Sequence, residues 1–356
     1  MIELTSGNLL KAPAEALVNT VNTEGVMGKG IALQFRVAHP AMYEEYVRKC
    51  REGELRLGSV HVYRLGELVD GPKYIINFPT KGHWRQKSKI ADIVSGLDAL
   101  VHTVRELKIK SIAVPPLGCG NGGLDWADVR PLIERAFEAI PEVRALVFAP
   151  NGAPPAADMV RNTARPNMTV SRAVLVKLID RYIKGLLDPF VTLLEVQKLM
   201  YFMQEAGQPL KLDYTKGTYG PYASNLRFQL GRLEGHYLTG FGDATEQPEK
   251  ILELLDGAVD KAQDTLTLQD EVNKRMDRVE RLIDGFEDSY GMELLSTVHW
   301  VMVHNPEARK APEVAIAEVQ RWSSRKNRSM KPTHIRKAWD RLVRDEWHFI
   351  SASMKD

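Results

Sequence analysis

The sequence predicts a three-layer α/β/α domain with a mostly parallel mixed sheet, followed by a mainly α-helical second domain. Three observations support this prediction. Short apolar runs alternate with helix-period segments over residues 1–152, the order that a parallel sheet covered by helices requires. Two glycine-rich stretches each follow an apolar run and precede a helical segment. From Ser171 onward the apolar residues recur mainly at helical spacing.

The elements of the first domain follow from this alternation. Strands are expected at 2–5, 15–19, 59–64, 73–78, near 112 and at 145–148, and helices at 31–38, 42–51, 90–107 and 126–139. The two early helices are separated at Pro40, since proline disfavours helical geometry in the residue before it. In the third strand Val60 and Val62 are expected to face inward, with His61 and Tyr63 facing outward.

Composition is that of packed globular domains. The 356 residues favour two domains, with 44% hydrophobic and 26% charged residues and a net charge of +2. The two cysteines, Cys50 and Cys119, cannot build a disulfide framework or a metal site. No apolar run approaches the ~20 residues of a membrane span, and the N-terminus lacks the apolar core of a signal peptide. We therefore expect a cytoplasmic protein without a metal, a redox cofactor or a membrane partner.

Two glycine loops mark the candidate ligand site. The first, at 19–32, contains Gly25, Gly28 and Gly30, and the second spans 115–123. Glycine lets a backbone approach a ligand closely, and the free N–H groups of the following helix favour a bound phosphate. A single loop of this kind is often only a tight turn. Two loops in one α/β domain predict a grip on both phosphates of a pyrophosphate.

A basic loop with aromatic residues lies between the glycine loops in the sequence. It spans 80–89 and carries four cations, Lys81, Arg85, Lys87 and Lys89, with His83 and Trp84 among them. Phosphate-neutralising charge beside rings that can stack on bases is typical of single-stranded DNA binding. The alternative is a solvated loop whose Trp84 packs onto the domain.

Residues 1 to about 150 resemble a macrodomain, the ADP-ribose-binding module. The resemblance rests on Gly7-Asn8-Leu9, on the first glycine loop and on 117–123. Within that family the chain is most similar to the DarG antitoxins, through NTVNTEGVMGKGIALQF and through NFPTKGHWR at 77–85. The resemblance implies that ADP-ribose is bound by Asn8, Leu9, Asn19, Thr20, Val26, Met27, Gly28, Lys29, Gly30, Ile31, Leu117, Gly118, Cys119, Gly120, Asn121 and Gly122.

By the same resemblance Lys81 and Asn22 are the catalytic residues, and the substrate is single-stranded DNA with ADP-ribose on thymidine bases. His83, Trp84, Arg85 and Lys87 are then the DNA-binding residues. Cleavage of the glycosidic bond passes through oxocarbenium-like charge. A lysine ammonium can protonate the departing base, whereas a neutral lysine can attack the anomeric carbon. The sequence leaves both roles open.

Two departures from related hydrolases bear on the substrate. Hydrolases that act on ADP-ribosylated protein carboxylates carry an aspartate in the second loop, where this chain has Gly122, with Asp125 three residues later. Asn8 replaces the usual adenine-binding aspartate. Two alternatives remain at this point: a hydrolase of modified protein carboxylates, and a reader that binds ADP-ribose without turnover.

The expected boundary places the first domain at 1–152, a linker at 153–170 and a helical domain at 171–356. Two core stripes are expected, one at Leu193, Val196, Leu199, Met200 and Met203, the other at Leu294, Val298, Val301 and Met302. The segment 217–222 reads as a turn with Pro221 starting a helix. VQKLMYFMQEAG and YGPYASNL resemble the SocA-like, or Panacea, antitoxin domain, which implies that a cognate DarT-type toxin is the partner. The charged helix at 271–284 is a candidate toxin interface, and the alternative is a solvated amphipathic helix.

Overall fold

The computed structural model describes residues 1–66, 71–185 and 190–347. The chain forms two compact units, Met1–Ala164 with Gly242–Thr245, and Arg165–Phe241 with Glu246–Asp356. The division at Ala164 lies inside the stretch 153–170. Over the described ranges, every helix is too short or too polar to cross a membrane.

The first unit is built on one six-stranded sheet. Its strands are β1 (Ile2–Thr5), β2 (Ala16–Asn22), β3 (His61–Arg64), β4 (Tyr74–Lys81), β5 (Ser111–Val114) and β6 (Arg144–Phe148), in the order β1-β6-β5-β2-β4-β3. β3 pairs antiparallel with β4, and the other neighbours pair parallel. Its α-helices are α1 (Gly30–Ala38), α2 (Pro40–Arg51), α3 (Ile90–Glu106) and α4 (Trp126–Glu138). The predicted α/β/α class with a mostly parallel mixed sheet is confirmed.

Apolar side chains cover both faces of this sheet. On one face Ile93 and Leu97 of α3 pack with Ile133 of α4, and on the other face Phe35 of α1 packs with Met42 of α2. Central strands of parallel sheets are buried on both faces, and their sequences are accordingly continuous apolar runs.

The expectation that His61 faces outward is wrong. Its side chain is buried, 9% exposed, because α2 covers that face of β3 and brings Glu45 to the ring. Tyr63, expected on the same outward face, packs against the core cluster that contains Phe35. The strand is therefore covered on both sides, and the alternation of residue types misled the assignment.

The stretch after the last strand is fastened to the first unit. A short 3-10 helix spans Ala156–Asp158. Further on, the backbone N–H of Asn162 donates to the carbonyl of Val37 at 3.0 Å, and its side-chain amide donates to that of Ala38 at 2.7 Å. Residues 153–162 thus hold a defined course along the unit.

The second unit is mainly helical. Its helices are α5 (Val170–Gly185), α6 (Leu193–Glu205), α7 (Leu226–Leu233), α8 (Ala258–Leu266), α9 (Asp270–Ile283), α10 (Ser289–His304), α11 (Pro306–Lys310), α12 (Pro312–Trp322), α13 (Ser324–Ser329) and α14 (Pro332–Arg344). Short strands accompany them: β7 (Val191–Thr192), β8 (Tyr214–Gly217), β9 (Gly220–Ala223), β10 (Leu238–Thr239) and β11 (Ile251–Leu254). Both predicted apolar stripes are buried, one on α6 and one on α10.

The expectation that Pro221 starts a helix is wrong. The segment forms a β-hairpin of β8 and β9, in which Lys216 pairs with Pro221 and Gly217 with Gly220. Gly220 adopts φ +91°, a conformation that glycine tolerates and other residues rarely adopt. The following helix, α7, begins only at Leu226.

Candidate active site

The first glycine loop is shaped by the side chain of Asn22, the last residue of β2. Its Oδ1 accepts from the backbone N–H groups of Glu24, at 2.9 Å, and Val26, at 3.3 Å. Its Nδ2 donates to the carbonyl of Val26 at 2.6 Å. Asn22 is only 5% exposed. Both polar ends of this predicted catalytic side chain are therefore engaged in holding the loop.

A chain of hydrogen-bonded side chains supports the first glycine loop. Asn19 Nδ2 donates to Asn77 Oδ1 at 2.8 Å, and Asn77 Nδ2 reaches His61 Nδ1 at 3.1 Å. His61 Nε2 lies 2.8 Å from the Glu45 carboxylate. These partners assign the ring proton to Nε2, because Nδ1 must accept from the Asn77 amide. Asn19 is fully buried, so it supports the loop and does not reach its surface.

The loop ends at the N-terminus of α1. Gly30 adopts φ +63°, and its backbone N–H donates to the carbonyl of Asp243, a member of the same unit, at 2.9 Å. The N–H groups of Ile31 and Ala32 follow in the first turn, where a helix provides no internal acceptor. They carry the positive end of the helix dipole, which favours a bound phosphate. Of the preceding loop residues, Met27 is fully buried whereas Val26 is exposed.

The second glycine loop follows β5 and is tightly packed. Gly118 adopts φ +74°, and its carbonyl accepts from the N–H of Leu124 at 3.1 Å. A Cβ on Gly122 would lie 2.3 Å from the Gly118 carbonyl oxygen and 2.3 Å from the hydroxyl of Ser88. This backbone therefore has no room for an aspartate at position 122.

Cys119 in the second loop is not set up as a nucleophile. Burial raises the pKa of its thiol to about 11, and the nearby Asp125 carboxylate adds to the effect. Reactive cysteines need a lowered pKa. The thiol lies 3.6 Å from the carbonyl of Leu117, so it serves as a small packing group of the loop.

Lys81 connects the predicted catalytic and binding elements. It ends β4 and pairs in register with Asn22 of β2. Its Nζ donates to the backbone carbonyl of Asn121 at 2.8 Å, and burial lowers the pKa of the ammonium. The Asn121 side chain also reaches the first loop, since a Cβ on Gly30 would lie 3.0 Å from Asn121 Nδ2. The two glycine loops and Lys81 therefore converge at one place.

The basic loop continues directly from Lys81. Its start is tied to the first glycine loop, because the backbone N–H of Thr23 donates to the carbonyl of Gly82 at 3.1 Å. The rings of His83 and Trp84 stack with centroids 5.4 Å apart. The Arg85 guanidinium lies 4.5 Å from the Trp84 ring centroid, and Trp84 is 38% exposed. Lys87 is exposed on the same loop. A cationic, partly exposed aromatic surface thus borders Lys81.

The side chain of Asn8 is engaged at both ends. Its Oδ1 accepts from the N–H of Leu10 at 3.0 Å and caps a 3-10 helix at Leu9–Lys11. Its Nδ2 donates to the carbonyl of Asp158 at 2.8 Å. The carboxylate of Asp158 is 61% exposed and lies beside Asn8, the residue at the usual position of the adenine-binding aspartate. Leu9 is buried in the core.

Sequence reasoning missed the supports of the site. Asn77, His61 and Glu45 belong to three separate elements, and no spacing rule places them beneath the first loop. Asp243 lies far along the chain, yet its carbonyl meets Gly30. In the described part of the chain, no three histidine, cysteine, aspartate or glutamate side chains are grouped closely enough to hold a metal ion.

A three-layer α/β/α domain whose two glycine loops converge on one candidate ligand site is the architecture of a macrodomain. Residues 18–133 match the Macro domain family. The chain is 44% identical to the DNA ADP-ribosyl glycohydrolase of Mycobacterium tuberculosis, over 96% of this chain and 99% of the relative. It is 44% identical to the enzyme of that name from Thermus aquaticus, over 98% of this chain and 96% of the relative. The chain belongs to the DNA ADP-ribosyl glycohydrolase family, DarG, which confirms the predicted resemblance.

The first unit is also similar to a solved structure. The macrodomain of Mycobacterium tuberculosis DarG shares 54% sequence identity, covers 42% of this chain and 99% of its own length, and superposes with a TM-score of 0.42.

Proposed function

We propose that the first unit hydrolyses the N-glycosidic bond between ADP-ribose and thymidine in single-stranded DNA. The main support is the position of Lys81, whose ammonium lies against the second glycine loop, in register with Asn22 and at the start of the basic aromatic loop. The names of the two full-length relatives, DNA ADP-ribosyl glycohydrolases, support the same substrate and reaction.

In this proposal the two loops hold the pyrophosphate of the substrate. The N–H groups at the start of α1 and the backbone of 117–123 neutralise its charge. Asn22 contributes by fixing the loop at 23–26, since its side chain is committed to that backbone. Holding the pyrophosphate fixes the anomeric carbon of the distal ribose beside Lys81, which supplies the proximity that catalysis requires.

Bond cleavage leaves positive charge on the ribose and negative charge on thymine. As an ammonium, Lys81 donates a hydrogen bond or a proton to the departing base, and water adds to the anomeric carbon and loses a proton. As a neutral amine, it attacks that carbon first, and water then displaces it to give ADP-ribose. The lowered pKa caused by burial makes the neutral form more accessible, and both routes use the same position of Nζ.

In this proposal, single-stranded DNA binds along the basic loop. Trp84 offers a ring for base stacking, and Arg85 and Lys87 bring positive charge for the phosphates on either side of the modified nucleotide. Stacking on an aromatic side chain contributes about 1–3 kcal/mol per base.

Each of the two alternative functions, a protein-carboxylate hydrolase and a reader without turnover, would need one structural feature that differs from this site. Hydrolysis of ADP-ribosylated protein carboxylates by a lysine-aspartate pair is disfavoured, because the backbone at Gly122 leaves no space for an aspartate side chain. A reader without turnover would need the same two glycine loops but no lysine at the anomeric carbon.

The second unit, in this proposal, binds a DarT-type toxin. Full-length alignment with the two relatives supports a shared two-unit organisation. A relative in Thermosipho africanus, 34% identical over 42% of this chain, is named as a fusion of a DNA ADP-ribosyl transferase with a DNA ADP-ribosyl glycohydrolase. The helix α9, rich in charged residues, is the proposed interface, and toxin and antitoxin meet in the cytoplasm.

The experiment tests the full chain against two candidate substrates and the product, free ADP-ribose. A thymidine-modified single-stranded oligonucleotide, a peptide with ADP-ribose on glutamate and free ADP-ribose are incubated in parallel, and released and bound ADP-ribose are quantified. We expect release from the oligonucleotide and binding of free ADP-ribose. Release from the peptide alone would establish the protein substrate, and binding without any release would establish a reader.

A further inference from the structure

The second unit contains a cavity that the proposed reaction does not use. It lies between α6, the β8–β9 hairpin and the segment before β11, and its volume is about 370 Å³. This is within the range of small-ligand pockets, ~300–1,000 Å³. It is lined mainly by apolar and aromatic side chains, among them Leu194, Tyr219 and Tyr222, together with Lys198, Thr218 and Glu246.

Lys198 places its amino group at this cavity, and the residue is almost fully buried, 1% exposed. Burial lowers the pKa of this group to about 7, so it is an ammonium below that pH. Its Nζ donates to the backbone carbonyl of Pro221 at 2.6 Å. An ammonium has three N–H donors. In the part of the chain that the structure describes, the Lys198 ammonium donates to one protein acceptor, the Pro221 carbonyl. Its other N–H groups are therefore available to a ligand. A buried cation without full pairing is costly unless another group compensates it.

The carboxylate whose charge acts on Lys198, that of Glu293, is already paired with two other cations. Glu293 receives both ends of the Arg325 guanidinium, at 2.6 and 3.0 Å, and the ammonium of Lys326 at 2.5 Å. Glu246, at the cavity wall, lies 3.9 Å from Arg227. Among the described residues, no carboxylate comes within 4.0 Å of Lys198, although Lys326 adds a second positive charge nearby.

We propose that this cavity binds a carboxylate carried on an apolar body, with the carboxylate accepting from Lys198 and the apolar part packed against Leu194 and the two tyrosines. A carboxylate suits the site, because the Lys198 ammonium is buried and, among the described residues, has no carboxylate within 4.0 Å. The carboxylate has two possible sources, a free small molecule or a segment of the toxin that enters the cavity. The second source rests on the proposed toxin binding.

The test uses the full chain and a matched pair of compounds. 3-Phenylpropanoate carries a carboxylate on an apolar body, and 3-phenylpropanamide has the same shape without the charge. In calorimetry below pH 7, where Lys198 is protonated, we expect the acid to bind at least tenfold more tightly than the amide. Equal affinities, or no saturable binding of the acid, would overturn the proposal.

Variants locate the binding. Thr218→Trp fills the cavity mouth from an exposed position, and Thr215→Trp is a control on the same hairpin, also exposed but outside the cavity lining. Thr218→Trp and Lys198→Met should remove the tenfold preference for the acid, whereas Thr215→Trp should keep it. Retention of the preference in Thr218→Trp would place the binding elsewhere and contradict the proposal, even if Lys198→Met fails to fold.

Competition with the purified toxin distinguishes the two sources. Displacement of 3-phenylpropanoate identifies a toxin segment as the natural occupant, and toxin binding without displacement identifies a free carboxylate. If the toxin does not bind at all, the proposed role of the second unit fails, while the preference for the acid and its dependence on Thr218 and Lys198 still decide the cavity proposal.

Discussion

Replacing Gly122 with alanine tests the packing of the second glycine loop. The added methyl carbon would lie 2.3 Å from the Gly118 carbonyl oxygen and 2.3 Å from the Ser88 hydroxyl. The hydroxyl can rotate away, but the carbonyl belongs to the loop backbone, so the loop must open. Overpacking of this kind costs about 1–3 kcal/mol. In a unit of this size, each kcal/mol lowers the melting temperature by about 2–4 °C.

Calorimetry of the full chain measures the effect. The thermal transition that ADP-ribose raises belongs to the first unit, and Gly122→Ala should lower it by about 2–12 °C. Gly120→Ala is the matched control, because a Cβ there meets no atom within 4 Å. Its transition without ligand should match that of the wild type. An unchanged transition in Gly122→Ala would refute the close packing of 118 against 122, and with it the argument against an aspartate at this position.

Three further perturbations address the basic loop and the second unit. Trp84→Ala should weaken binding of a modified single-stranded oligonucleotide by about 5- to 150-fold, because a stacking surface is lost, as measured by fluorescence anisotropy. Glu293→Gln should destabilise the second unit by about 3–5 kcal/mol in denaturant unfolding, because the Lys326 ammonium loses its buried partner, whereas Glu271→Gln in an exposed ion pair should leave stability unchanged. Burial and the nearby Lys326 charge lower the pKa of Lys198 to about 7, so the unfolded chain binds more protons above that pH. Stability of the second unit should therefore rise from about pH 7 towards about pH 10, and this rise should shrink in Lys198→Met.

The course of the first unit could be predicted closely, because each strand is a short apolar run bounded by turn residues. The ends of β2 and β4 were the exceptions. They were expected at 19 and 78, but the strands continue to Asn22 and Lys81. Asparagine is a poor strand former by itself. Here Asn19 is paired with Asn77 of the neighbouring strand, a residue 58 positions away, and this partner is not apparent from local sequence.

The site itself was predicted in outline and not in detail. The glycine loops were predicted from their residue types, whereas Lys81 was predicted from the resemblance to the DarG antitoxins, and the structure brings the lysine against the second loop. The roles of the asparagines could not be predicted, because an amide serves equally well to bind a sugar or to hold a loop. In the structure Asn22 holds the loop, and Asn8 caps a short helix and meets Asp158.

The second unit shows the same limit of local patterns. Apolar periodicity identified the buried faces of α6 and α10 correctly. The hairpin at 214–223 was missed because a proline after a turn is equally typical of a helix start. What distinguishes the hairpin is tertiary, since the buried Lys198 binds the carbonyl of Pro221.

The most direct measurement is single-turnover release of ADP-ribose from a thymidine-modified single-stranded oligonucleotide by the full chain and by Lys81→Met, with free ADP-ribose affinity measured in both. We expect the variant to bind ADP-ribose within a fewfold of the wild type, because the glycine loops remain, and to lose release by about 10²–10⁴-fold, the usual contribution of a positioned acid or base. Undiminished release by Lys81→Met would contradict a catalytic role for the lysine that joins the two loops.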